Sequence, residues 1–124
     1  MPQLVWKPLD FLSALGVAPE VAEYGTSHKY VVSQPPIRLE ITLWQYDGDV
    51  QLHLYVAPFE HPVVRYSMLG CPGARVVDDK RGQFLEFAAT NTFTGRYDGY
   101  SVIPYGLRVW VKPQICLEPF VYPT

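Results

Sequence analysis

A chain of 124 residues, 48% of them hydrophobic, is long enough for one domain with a core of its own, and that composition excludes wholesale disorder. The formal charge of −2 comes from ten basic and twelve acidic residues, and only Lys80 and Arg81 are adjacent bases. That excludes the basic stripe nucleic-acid binding requires, and no apolar run approaches the roughly 18 residues of a membrane-spanning helix.

The N-terminal stretch MPQLVWKPLDFLSALG has no basic region ahead of an apolar core and no cleavage site, so no signal peptide is expected. Cys71 and Cys116 form at most one disulfide, which a domain of this length does not need. They are expected as reduced thiols of a cytoplasmic protein. Aromatics at 15% and twelve prolines favour strands and shaped loops over long helices.

Residues 7–16 predict a short helix, with Pro8 at its first position and Gly16 just past its end. Leu9 with Leu12, and Phe11 with Leu15, stand at helical spacing. Residues 19–25 repeat the signature, with Pro19 first, Val21 and Tyr24 inward and Gly25 last. Two short helices with a tight link outline a helix-turn-helix. The second carries Glu20 and Glu23 and no base, which repels phosphate.

Residues 27–34 read as a strand ended by Pro35-Pro36. The strongest local signal follows, in residues 37–57. Asp47-Gly48 between two alternating runs predicts a two-residue type I′ turn. Gln45 then faces Val50, Leu43 faces Leu52, Ile41 faces Leu54 and Leu39 faces Val56, giving an apolar face. The polar face pairs Tyr46 with Asp49, Trp44 with Gln51, Thr42 with His53 and Glu40 with Tyr55. Leu39, Ile41, Leu43, Leu52, Leu54 and Val56 are expected to be buried.

Residues 63–68 predict a strand closed by Gly70-Cys71-Pro72-Gly73. Residues 74–78 and 83–89 predict a second hairpin, in which a four-residue loop sets Val77 against Phe84 and Arg75 against Glu86. Residues 107–112 alternate until Pro113, and the tail adds an edge strand in which Pro119 and Pro123 limit further pairing. No repeat or linker divides the chain. The expected fold is a single α+β domain over residues 1–124, mainly antiparallel β. A short N-terminal helical segment packs on a curled sheet of about six to eight strands.

Chemistry has few candidates. His28, His53 and His61 lack metal-ligand spacing, and His53 with Glu40 makes too few ligands, so neither metal nor cofactor is expected. Cys71 sits in a turn with no base beside it in the sequence and reads as a small turn residue. Asp78 and Asp79 point to opposite faces ahead of a solvated turn, and Glu40 meets Glu86 only if their strands are neighbours. No nucleophile elbow or phosphate-binding glycine motif is present, so no catalytic residue is assigned.

Two aromatic-rich surfaces carry more information. One is the polar hairpin face, with Trp44, Tyr46, His53 and Tyr55. The other is the segment NTFTGRYDGYSVIPYG, residues 91–106, which gathers Phe93, Arg96, Tyr97, Tyr100 and Tyr105 among small polar residues and lacks core-like alternation. Tyrosine and arginine are common anchors at interfaces. The bland alternative is that these rings pack a second core layer and that Asp98-Gly99 is a hairpin tip. The binding reading makes the chain a small inhibitory protein, not an enzyme, that masks another protein. The concrete example is a bacterial immunity protein that neutralises a toxin or enzyme domain, an analogy of size and composition without a family motif. The alternative is a small-molecule-binding or enzymatic domain with a pocket between the sheet and the N-terminal helix. An exposed sheet face also allows a homodimer.

Overall fold

Alternation of period two dominates the chain after residue 27, and it becomes two antiparallel sheets in the computed structural model, which describes residues 3–121. Pro123 lies outside the described residues. The first sheet holds β1 (Glu20–Val21), β2 (His28–Gln34), β3 (Ile37–Trp44), β4 (Asp49–Val56) and β5 (Val64–Met68). The second holds β6 (Ala74–Asp79), β7 (Gly82–Ala88), β8 (Tyr105–Trp110) and β9 (Cys116–Val121). Each sheet is a meander in chain order. The expected α+β, mainly antiparallel class is what the structure shows. The strands, nine among the described residues, divide between two sheets instead of forming one curled sheet.

One hydrophobic cluster joins the sheets. Tyr30, Leu39, Ile41, Leu43 and Leu52 of the first sheet meet Leu85, Phe87, Leu107 and Val109 of the second. The helix α1 (Pro8–Leu15) closes the cluster. Its Phe11 ring stands 5.9 Å from both Tyr30 and Phe87, one in each sheet, within the range of favourable aromatic pairs. Phe11, Ala14 and Leu15 are buried, whereas Leu9 is 78% exposed, so the inward stripe is narrower than the apolar spacing implied. Gln34 clasps the sheets from the side: its amide donates to the Val111 carbonyl at 2.6 Å, and its oxygen accepts from the Ile115 N–H at 2.8 Å.

The central hairpin keeps its faces but moves its register. Leu43 faces Val50, Ile41 faces Leu52, Leu39 faces Leu54 and Ile37 faces Val56. The pairing is displaced by two residues, which preserves which side each residue is on. The cause is the turn. Gly48 takes a positive φ of 76°, but Asp47 does not, so a type I′ turn is not formed. The chain turns instead over 45–48, with the N–H groups of Asp47 and Gly48 both donating to the Trp44 carbonyl. Leu39, Ile41, Leu43 and Leu52 are fully buried, while Leu54 and Val56 are half-buried. The second hairpin has the expected pairs, Val77 with Phe84 and Arg75 with Glu86, around a tighter turn in which Asp79 pairs with Gly82.

The second predicted helix does not form. Residues 19–25 give the two-residue strand β1 and a single 3₁₀ turn (Glu23–Gly25), with Tyr24 84% exposed. So short a segment gains little from propensity, and pairing Glu20 with Lys29 and Val21 with His28 at the edge of the first sheet satisfies its backbone instead.

Two outcomes follow from this core. Ile41→Ala should lower stability by about 2–5 kcal/mol in urea unfolding, because the neighbours cannot close over the lost volume. His28 gives a pH dependence. Its Nδ1 has no partner among the described residues, Trp6 stands 5.0 Å from its ring, and burial lowers its pKa from 6.5. The folded state prefers the neutral imidazole. Its stabilisation is present above pH 6.5 and is lost as pH falls through the lowered value. Thermal melts between neutral pH and pH 5 should show a drop that is smaller in His28→Phe.

Candidate functional site

The middle of β7 is buried on both sides, and this creates the candidate site. Leu85 and Phe87 point into the main core, while Phe84, Glu86 and Ala88, on the opposite face, are equally buried. Charge and a long loop cover that second face. Glu86 is fully buried between two arginines: Arg75 reaches one carboxylate oxygen at 2.9 Å and Arg108 the other at 2.9 Å. Arg108 also reaches Glu118 at 3.2 Å and lies 4.1 Å over the Phe120 ring. Arg75 donates as well to the Tyr100 carbonyl at 3.0 Å, which pins the loop to the sheet.

The loop after β7 folds back over Ala88. Tyr97 and Ile103 bury with Ala88 and Phe120 in a second small cluster, with Phe93 and Val5 against it. The Tyr97 hydroxyl donates to the Ser101 carbonyl at 2.7 Å, and burial pushes its pKa up to about 12. Asp98 does not tip a hairpin: its carboxylate accepts from the N–H groups of Tyr100 and Ser101, forming a local turn. Gly73 lets the ring come close. A Cβ there would lie 2.4 Å from the Tyr97 ring and 2.7 Å from the Val5 carbonyl.

An open cleft of about 680 Å³ lies between this loop and the tip of the central hairpin. Tyr46 and Asp47 form one wall; Phe93, Gly95, Arg96 and Tyr97 form the other, with Gly70 and Pro72 between. Backbone bonds tie the walls together. Cys71 N–H donates to the Gly48 carbonyl, Leu4 N–H to Gln45, and Val5 N–H to Pro72. The Thr90 hydroxyl donates to the Leu69 carbonyl, which joins the loop to the same connector. Phe93 stacks on Tyr97 at 4.8 Å with 26° between the rings.

The residues expected to bind a partner therefore separate. Tyr46, Phe93, Arg96 and Tyr97 come together in the cleft, although Tyr46 and Tyr97 are 51 residues apart in sequence. Tyr97 corrects the expectation of an exposed loop tyrosine: it is 2% exposed and packs in the small cluster, while still lining the cleft. Trp44 is half-buried in a shallow neighbouring depression of about 240 Å³ that shares Asp47 with the cleft. His53 and Tyr55 lie elsewhere, on the outer face of the first sheet. There Arg38 covers the Tyr55 ring at 4.1 Å, and Glu40 pairs with Arg38 and Lys29 at 3.1 and 3.3 Å. Tyr100, 70% exposed, borders a small hollow of about 120 Å³ beside the helix. Tyr105 donates to the Asn91 carbonyl at 3.4 Å. Where the alternative reading placed a pocket between helix and sheet, the described residues form that small hollow, with the buried Phe11 in its lining.

Sequence reading missed Asp47 and Gly95 as cleft residues, since each reads as ordinary turn chemistry. Cys71 is fully buried, donates to the Gly73 carbonyl at 3.3 Å, and has its thiol pushed up to about 12 by burial. A thiol so placed stays protonated at neutral pH and is a poor nucleophile. Glu40 and Glu86 lie in different sheets and do not meet. No helix among the described residues is long and apolar enough to cross a membrane.

No protein-family model matches the sequence, and no curated protein matches it. Among solved structures, the chain is similar to a chain of the contact-dependent growth inhibition toxin–immunity protein complex from Klebsiella pneumoniae 342. The TM-score is 0.75 at 13% identity, over 97% of this chain and 98% of that chain. At that identity the likeness establishes a shared fold.

Removing the buried carboxylate tests the support of the loop. Glu86→Leu leaves two arginines without their common partner and should cost about 3–5 kcal/mol in chemical unfolding. The same variant should raise hydrogen exchange across residues 97–101, where Arg75 no longer has its orienting partner.

Proposed function

We propose that this chain is an immunity protein: a cytoplasmic bacterial protein, without enzymatic activity, that neutralises a toxin by binding it directly. The observation that carries this reading is the end-to-end likeness to a chain of a toxin–immunity complex. The cleft adds support, because it groups exposed and half-exposed aromatic residues with an arginine on one surface. Interface anchors are enriched in such residues. Binding runs through Tyr46, Phe93 and Arg96, with Trp44 and the exposed Leu69 at the margin. His53, Tyr55, Tyr100 and Tyr105 stand outside this patch and contribute less.

The test is co-production in a bacterial host with the toxin domain encoded beside this chain's gene. Survival of toxin-producing cells only when this chain is also made supports the reading. Killing by this chain alone, or no protection, overturns it. Tyr46→Ala should weaken the complex by about 2 kcal/mol in calorimetry. The melting temperature should stay where it is, because Tyr46 is 47% exposed at a turn.

A further inference from the structure

The cleft has features that name what it receives. Its loop wall is built before any partner arrives. Tyr97 is held by its bond to Ser101 and by close contact with Gly73, and Phe93 stacks on it. A fixed wall loses little entropy on binding. Tyr46 stands across from it, half-exposed. A volume of about 680 Å³ is within the usual range for ligand sites and accommodates a ring together with the backbone that carries it. Ring walls favour a ring, through edge-to-face and offset contacts.

Charge narrows the choice. Arg96 lines the cleft, is exposed, and makes no hydrogen bond or ion pair among the described residues. Asp47 lies on the facing wall and does not pair with it. A guanidinium left open in this way is complementary to a carboxylate, which Asp47 repels toward the Arg96 side. Resting on the immunity reading, we propose that the cleft is a socket for an aromatic side chain of the toxin with a carboxylate beside it. Phe93, Tyr97 and Tyr46 contact the ring and Arg96 binds the carboxylate.

Gly95 supplies the control. Gly95 lines the cleft, a Cβ added there meets nothing within 4 Å, and its φ is outside the positive region, so Gly95→Leu adds bulk at the cleft wall without strain on the fold. The experiment is a titration of isotope-labelled protein, followed by amide chemical shifts, with N-acetyl-L-tryptophan, N-acetyl-L-tryptophanamide and N-acetyl-L-leucine. N-acetyl-L-tryptophan should shift residues 45–48, 70–72 and 90–97. The amide should bind about threefold more weakly, the worth of an exposed ion pair, and the leucine derivative should give no response. Gly95→Leu should abolish the response with an unchanged melt, and Arg96→Gln should make the acid and the amide equal. No response to N-acetyl-L-tryptophan, shifts elsewhere, or an equal response to leucine overturns the socket. In the survival assay, wild-type protection lost in Gly95→Leu supports it. Protection by both proteins overturns the socket and leaves the immunity reading standing. A tryptophan response with no protection by the wild type overturns the toxin as the source of the ring.

Discussion

The buried carboxylate of Glu86 is the constraint on which the second sheet depends. It lies on the face of β7 that a two-sheet sandwich would ordinarily leave to water, and it is fully buried there. A buried charge is tolerable only when paired and hydrogen-bonded. Arg75 from β6 and Arg108 from β8 satisfy both oxygens, so three adjacent strands are locked in one register. Arg75 then extends to the Tyr100 carbonyl, and the long loop is held as a lid over the strand.

That lid positions the cleft. With residues 97–103 packed on Ala88 and Phe120, the preceding residues must pass beside the connector that follows β5. The same connector bonds to the hairpin tip through Cys71 and Gly48. The N-terminal segment threads between them, with Val5 bridging Gly73 in parallel. Three segments distant in sequence thus share one set of backbone hydrogen bonds, and the Thr90 hydroxyl joins the loop to them through the Leu69 carbonyl. The proposed binding surface therefore rests on ordered backbone, which lowers the entropy cost of receiving a partner.

The two histidine-bearing regions show how similar residue types acquire different roles. His28 sits against Trp6 with an unpartnered ring nitrogen, and burial holds it neutral. His53 lies on an open sheet face opposite Glu40, whose carboxylate is already held by Lys29 and Arg38. Cys71, which reads in sequence as a turn residue, is a buried strut whose backbone joins the hairpin to the connector.

Alternation and punctuation in the sequence determined the strands, because side-chain direction with period two is a local property of extended backbone. Residues 37–56 announced a hairpin, and the parity of their faces survived the two-residue displacement, since any even shift leaves the core face intact. The displacement itself goes with the turn: Asp47 lacks the positive φ of a type I′ turn, and the carbonyls of Gln45 and Gly48 on either side accept from Leu4 and Cys71 of distant segments. The helix at Pro8–Leu15 was legible from its ends; the one expected at 19–25 was not real, because edge pairing with β2 outweighed a weak local signal. The aromatic content of residues 91–106 was visible, but its division was not. Tyr97 became core and Tyr100 stayed exposed because only the former reaches Gly73, a close approach that needs the absence of a side chain. The cleft belongs wholly to tertiary structure: Tyr46 and Arg96 share it because the loop that carries Arg96 is fixed by the Tyr97 cluster, by Thr90 on Leu69 and by Arg75 on the Tyr100 carbonyl.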